Sequence, residues 1–280
     1  MKLFFLLSMV TISAAAASQP KIISQATIYT TTNVIAPEED DVSNIQNQGG
    51  GGFNFRNMGD GETKTTTYIK NDLVKTNFKS ESFRGSIYRD NAAKTTTTVF
   101  EMMGSKQGFA ASDDDQAEMR RKMDSTMKEK AKTDTSFHYR ERKPTQSTAT
   151  VAYTEESKKI AGYDCKKAYI ITDRLLGKDS LEVWYTPEIK FSNVASTGGT
   201  SGLGMNFGGS NNFDKVDGFV MQYNRDMPRG RKMEVKVTKI EIDDVADKEF
   251  VLPKDVEIKS MKDMNTQGGG MFRMMQGNRQ

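Results

Sequence analysis

The chain predicts a mainly β protein with an antiparallel sheet, on three observations. Short runs rich in Thr, Val, Ile and aromatic residues alternate with polar ones from residue 21 almost to residue 259. Turn-forming residues punctuate these runs, and one stretch alone carries a convincing helical pattern.

Residues 22–34 read as a first strand, followed by an acidic and then glycine-rich loop through residue 61. Residues 65–70 and 73–78 flank Asn71 and Asp72, which tolerate tight-turn dihedrals, and so predict a hairpin. Residues 83–89 and 94–102 form a second hairpin around Asp90 to Ala93, giving four consecutive strands in meander order. The helix is expected over residues 112–132. Ser112 can cap it, Asp113, Asp114 and Asp115 sit in its first turn, and Lys128, Lys130 and Lys132 sit in its last, which complements the helix dipole at both ends. Its apolar residues, Ala117, Met119, Met123, Met127 and Ala131, make a narrow methionine-rich stripe, so one face should lie against the sheet.

Strands resume over residues 147–154, 163–172, 180–186, 219–224 and 233–242, for a sheet of roughly eight to ten strands. Val235 and Val237 fall on one side and Ile240 and Ile242 on the other, which requires a bulge near Thr238 and Lys239, and bulges curve a sheet. Residues 245–259, with Phe250, Leu252 and Pro253, should tie the end of the domain to its core.

The first eighteen residues have the layout of a secretory signal peptide: Lys2, an apolar run from Leu3 extended through Ile12, then small residues up to Ser18. The run is shorter than the roughly 20 residues a spanning helix needs, and no other stretch is apolar enough to cross a bilayer. The expected organisation is a signal peptide (1–18), one β domain (19–260) with glycine-rich insertions near 46–62 and 196–213, and a disordered Gly/Met-rich tail (261–280).

Lys plus Arg number 40 against 37 Asp plus Glu, and the excess is dispersed, which makes no electrostatic case for nucleic acid. The single cysteine, Cys165, forbids an intramolecular disulfide, so stability must come from core and sheet pairing. Gly202, Gly204 and Gly208 lack phosphate-loop spacing and no helix pattern follows them. Asp113 to Asp115 lack the glycine and later glutamate of a calcium loop. His138, the only histidine, has no nucleophile or second ligand to work with, and Cys165 lies in a strand where a small buried hydrophobe belongs. No catalytic, metal or cofactor residues are expected, and the reading is of a protein that is not an enzyme.

One block is more specific than composition. Residues 159–168 read KIAGYDCKKA and residues 181–189 read LEVWYTPEI, with DGFVMQY at 217–223, VTKIEIDDVADKEFVLP at 237–253, and TYIKNDLVKTNF upstream. This resembles exported, uncharacterised proteins of bacterial envelopes, domain-of-unknown-function families related to the GLPGLI family, over roughly residues 65–259, although Val216 to Val220 replace the name-giving motif. The resemblance implies a LolA/LolB-like fold, a strongly curved, incomplete antiparallel barrel covered by a helix, in which acyl chains are carried or sensed.

The expectation that results is an exported binding protein of the periplasm or the periplasmic face of the outer membrane. Its partner would be a lipid or lipoprotein acyl chain, or another hydrophobic segment, held in the concave face of the sheet. The alternative is an envelope structural or stress-sensing protein that binds another envelope protein and holds no lipid; a closed, dry core would favour it. The candidate contacts are Met119, Met123 and Met127 on the helix, Tyr163, Phe219, Met221 and Tyr223 on the concave face, and Trp184. Trp184 shares a strand face with Glu182, whereas Leu181, Val183 and Tyr185 share the opposite one, so it should lie off the main core.

Overall fold

The computed structural model describes residues 19–35, 61–81, 83–102, 104–133, 149–174, 177–192, 212–227 and 230–260. The expected signal peptide, the tail, His138 and nearly all of both glycine-rich insertions lie outside these residues.

The strands, in chain order, are β1 (Lys21–Ile23), β2 (Gln25–Ile35), β3 (Gly61–Lys70), β4 (Leu73–Lys79), β5 (Arg84–Asp90), β6 (Thr95–Met102) and β7 (Ser105–Ser112). After helix α1 (Asp113–Thr133) come β8 (Ala149–Ile160), β9 (Tyr163–Arg174), β10 (Gly177–Thr186), β11 (Ile189–Phe191), β12 (Phe219–Asp226), β13 (Lys232–Glu241) and β14 (Ile258–Ser260). Twelve of them form one sheet in the order β14-β7-β6-β5-β4-β3-β2-β13-β12-β10-β9-β8, and β1 and β11 make a separate parallel pair. The large sheet is two antiparallel meanders, β2 to β7 and β8, β9, β10, β12 and β13, stitched by the pairing of β2 with β13, with β14 added in parallel beside β7. Its edge strands, β8 and β14, do not pair with each other, so the sheet is not closed into a barrel. Among the described residues no helix is long and apolar enough to cross a membrane.

Local chemistry explains the elements. Asn71 takes φ +52° between β3 and β4, and Lys94 takes φ +54° before β6, left-handed positions that close both expected hairpins. The bulge falls where the sequence requires it: Val237 pairs with Thr30 and Lys239 with Tyr29, so Thr238 is the extra residue. The bulge rotates Ile240 onto the face of Val237, and Ile240 packs against the same core cluster. Ser112 caps α1 reciprocally. Its Oγ accepts from the Asp115 amide at 3.1 Å, and its own amide donates to Asp115 Oδ2 at 3.2 Å.

The helix is held at its start. The Arg89 guanidinium on β5 donates to both Asp113 carboxylate oxygens, at 2.5 and 2.9 Å, and to Thr96. Its closest sheet neighbour is β7, the strand that feeds it. That strand, SKQGFAAS, is not expected from the sequence, because Gly108 and two alanines break the β-branched alternation.

The C-terminal segment crosses the outer face of the first meander as a strap. Lys70 Nζ donates to the Val245 carbonyl at 2.8 Å and pairs with Asp247, Lys75 pairs with Glu249, and Lys106 pairs with Asp255. Gly108 lets the end of the segment lie close on β7, since a Cβ there would meet the tip of Ile258 and crowd Val256. The expected anchoring of this segment thus occurs through Val245, Val256 and three lysines, while Val251 and Leu252 are exposed.

Candidate functional site

The inner face of the sheet has two different halves. In the second meander it is apolar: Ala168, Ile170, Leu181, Val183, Tyr185, Val220, Tyr223, Met233 and Val235 form one continuous buried cluster with Val216. In the first meander it is threonine-rich. Thr30 and Thr32 on β2, Thr63, Thr65 and Thr67 on β3, and Thr76 on β4 are all buried. They are cross-strand neighbours, since Thr30 opposes Thr65, Thr32 opposes Thr63, and Thr67 opposes Thr76. Thr67 and Thr76 satisfy each other through a hydroxyl contact of 3.2 Å. The hydroxyls of Thr32 and Thr65 are buried without a hydrogen-bond partner.

The candidate contacts separate accordingly. Phe219 and Met221 lie in a cluster with Cys165, Val237, Ile28, Ile69 and the β1–β11 pair, and Phe219 meets Phe191 edge-on at 4.7 Å. Tyr223 belongs to the other cluster, its ring 5.0 Å from that of Phe213. These three side chains are buried, Met221 and Tyr223 at 1% exposure. Tyr163 is half-buried against the first cluster, and Met119 is half-buried on α1. The side chains of Met123 and Met127 lie outside the described residues.

Trp184 sits where its alternation puts it, half-buried on the face opposite Leu181, Val183 and Tyr185. Lys167, Trp184, Gln222 and Lys236 are directly opposite one another across β9, β10, β12 and β13 and so share this outer face. The indole is covered by two cations, with Lys158 Nζ 4.0 Å and Lys167 Nζ 5.2 Å from the ring centroid. Lys158 donates to Gln222 Oε1 at 2.7 Å, and Gln222 Nε2 donates to Glu234 at 2.8 Å. Burial, and then repulsion from Lys236, lowers the pKa of Lys158. Lys167 is neutralised by Glu156 and Glu182. Both ammonium groups therefore compete with any ligand for stacking on the indole.

Cys165 is fully buried, and burial pushes its thiol up to about 11, which leaves little thiolate at neutral pH. Among the described residues no group of three or more His, Cys, Asp or Glu side chains could hold a metal ion.

Sequence reasoning missed the two unpartnered threonine hydroxyls. The only available signal was the density of threonine in residues 30–32 and 65–67, which also suits ordinary strands.

No curated protein matches the chain. A family model matches residues 55–256, and on that match the chain belongs to the family described as Domain of unknown function (DUF4412).

Proposed function

We propose that this chain is an exported, non-enzymatic protein of the bacterial cell envelope that works by binding another protein. The observation that carries the reading is the filled inner face of the second meander. The aromatic and methionine side chains that could have lined an acyl-chain pocket, Phe219, Met221 and Tyr223, are spent on packing against Phe191, Phe213 and their neighbours. Among the described residues the one thiol, Cys165, is buried and protonated at neutral pH, which does not suit a nucleophile. Export is supported by the signal-like layout of residues 1–18, and an envelope role by the resemblance to exported envelope proteins.

The other reading is an acyl carrier of the LolA/LolB type. The half-buried Met119 on a helix whose start is pinned by Arg89 favours it, because such a helix could swing about that end. Native mass spectrometry with lipid extraction of the protein purified from its own periplasm separates the two. A retained polypeptide without lipid supports the proposal. Acyl species at near-stoichiometric amounts would replace it with the carrier.

A further inference from the structure

On the outer face of the first meander, residues of five adjacent strands stand directly opposite one another in a single row. Lys64 on β3 opposes Lys79 on β4, Lys79 opposes Arg84 on β5, Arg84 opposes Glu101 on β6, and Glu101 opposes Lys106 on β7. The row therefore reads Lys, Lys, Arg, Glu, Lys. Like charges directly opposite in a sheet repel, and the chain's own carboxylates relieve that repulsion at only part of the row. Lys64 is drawn to Glu62, Arg84 to Glu101 and Lys106 to Asp255. Lys79, exposed and between two cations, has no carboxylate partner among the described residues.

Lys79, Arg84, Glu101 and Lys106 of this row line a groove of about 360 Å³, and Lys64 continues the row past its end. Asn77, Ser86 and Val99 of the sheet line the groove together with Pro253 and Val256 of the strap. Ser86 donates to the Asn77 side-chain oxygen at 2.7 Å, which orients the Asn77 amide so that its NH2 donors remain for a ligand. With strands roughly 4.8 Å apart, the row from Lys64 to Lys106 spans about 19 Å, longer than a compact anion and suited to an extended chain of five or six residues.

We propose that this groove and its cation row dock an extended acidic segment of a partner protein, with carboxylates facing Lys64, Lys79 and Arg84 and an apolar side chain seated on Val99 against Pro253 and Val256. This names the partner chemistry for the protein-binding reading above and rests on it. It places that contact on the outer face of the first meander, in a groove that none of the candidate contacts named from the sequence lines.

The probe is a fluorescein-labelled decapeptide of alternating Glu and Val, with a Gln-for-Glu peptide as control, titrated into the full-length mature protein by fluorescence anisotropy. Saturable binding of the Glu peptide alone, weakened at least tenfold by Lys79→Glu and by Lys64→Glu and reduced as salt rises, is the expected result. Both substitutions are at exposed positions, and an unchanged melting temperature shows that the variants fold. Equal binding of the two peptides, equal binding by wild type and variants, or no binding at millimolar peptide overturns the proposal. A partner still retained from the periplasm by Lys79→Glu would overturn this site while leaving the protein-binding reading intact. Acyl species in place of a partner would remove that reading whatever the peptide does.

Discussion

The two meanders are built on the same antiparallel rules but filled differently. The second buries Val, Leu, Ile, Met and Tyr on its inner face, whereas the first sets a patch of threonine among Ile28, Ile69, Val74 and Phe78. Valine and threonine have nearly the same shape, so both pack. Only the threonine patch carries a polar cost, because each buried hydroxyl needs a partner to offset its lost hydration. Thr67 and Thr76 find one in each other, and Thr32 and Thr65 do not. Burial in the second meander is therefore almost wholly apolar, and the threonine patch of the first is buried at lower gain.

The largest effect should come from hollowing the apolar side. Met221→Ala removes a fully buried side chain between the β1–β11 pair and the sheet, and should cost roughly 2–5 kcal/mol in urea unfolding. A loss below about 1 kcal/mol would break the contrast at its stronger end.

The helix anchor belongs to the first meander and tests how much a polar contact supplies there. Arg89→Ala removes two hydrogen bonds to Asp113, which is itself nearly half exposed, so the loss should be about 1–2 kcal/mol, with helical circular dichroism falling before the sheet signal. Simultaneous loss of both signals would mean that helix and sheet unfold as one unit.

Threonine to valine at three positions gives the sharpest comparison, because the same substitution should act with opposite signs. Thr32→Val and Thr65→Val remove unpartnered hydroxyls and should each stabilise by about 1 kcal/mol. Thr67→Val strands the Thr76 hydroxyl and should destabilise by about 1 kcal/mol. Uniform stabilisation by all three would mean that the Thr67–Thr76 bond contributes nothing.

The smallest effect concerns Cys165. Its folded thiol titrates near 11, above its ordinary value, so the folded state holds a proton that the unfolded chain releases. The associated stability is full below the ordinary thiol pKa and is lost as pH climbs toward about 11. A thiol reagent at about pH 8 should label the protein only after denaturant is added. Rapid labelling of the native protein would show that the cluster around Cys165 opens.

Much of the first meander was legible, because its hairpins depend on local signals: Asn71 and Asp72, the Asp90 to Ala93 turn, the Ser112 cap. The Thr238 bulge was legible too, since a change in side-chain parity within one strand needs an extra residue to produce it. What depends on distant partners was not. The break at Ser24 that turns one expected strand into β1 and β2 follows from parallel pairing of β1 with β11, some 168 residues on. β14 is three residues long and exists because β7 lies beside it. For the candidate site, strand alternation located Trp184 on its face, but its two lysine covers come from β8 and β9 by register. The cation row is invisible in the chain, because its members lie on five strands and align only when every turn length is known.

The placement of β2 governs the order of assembly. It is the first strand of the large sheet to be synthesised, yet it lies in the interior of that sheet, and one of its two neighbours, β13, lies about 200 residues downstream. The first meander can pair as it emerges, but its β2 edge then presents open hydrogen-bonding groups on a threonine-rich, strand-prone segment until nearly the whole chain is available. A long-range closure of this kind is slow and exposes the intermediate to pairing with another copy of itself. Early termination anywhere before β13 leaves that edge uncovered for good, so shortened chains should aggregate and not merely lose stability.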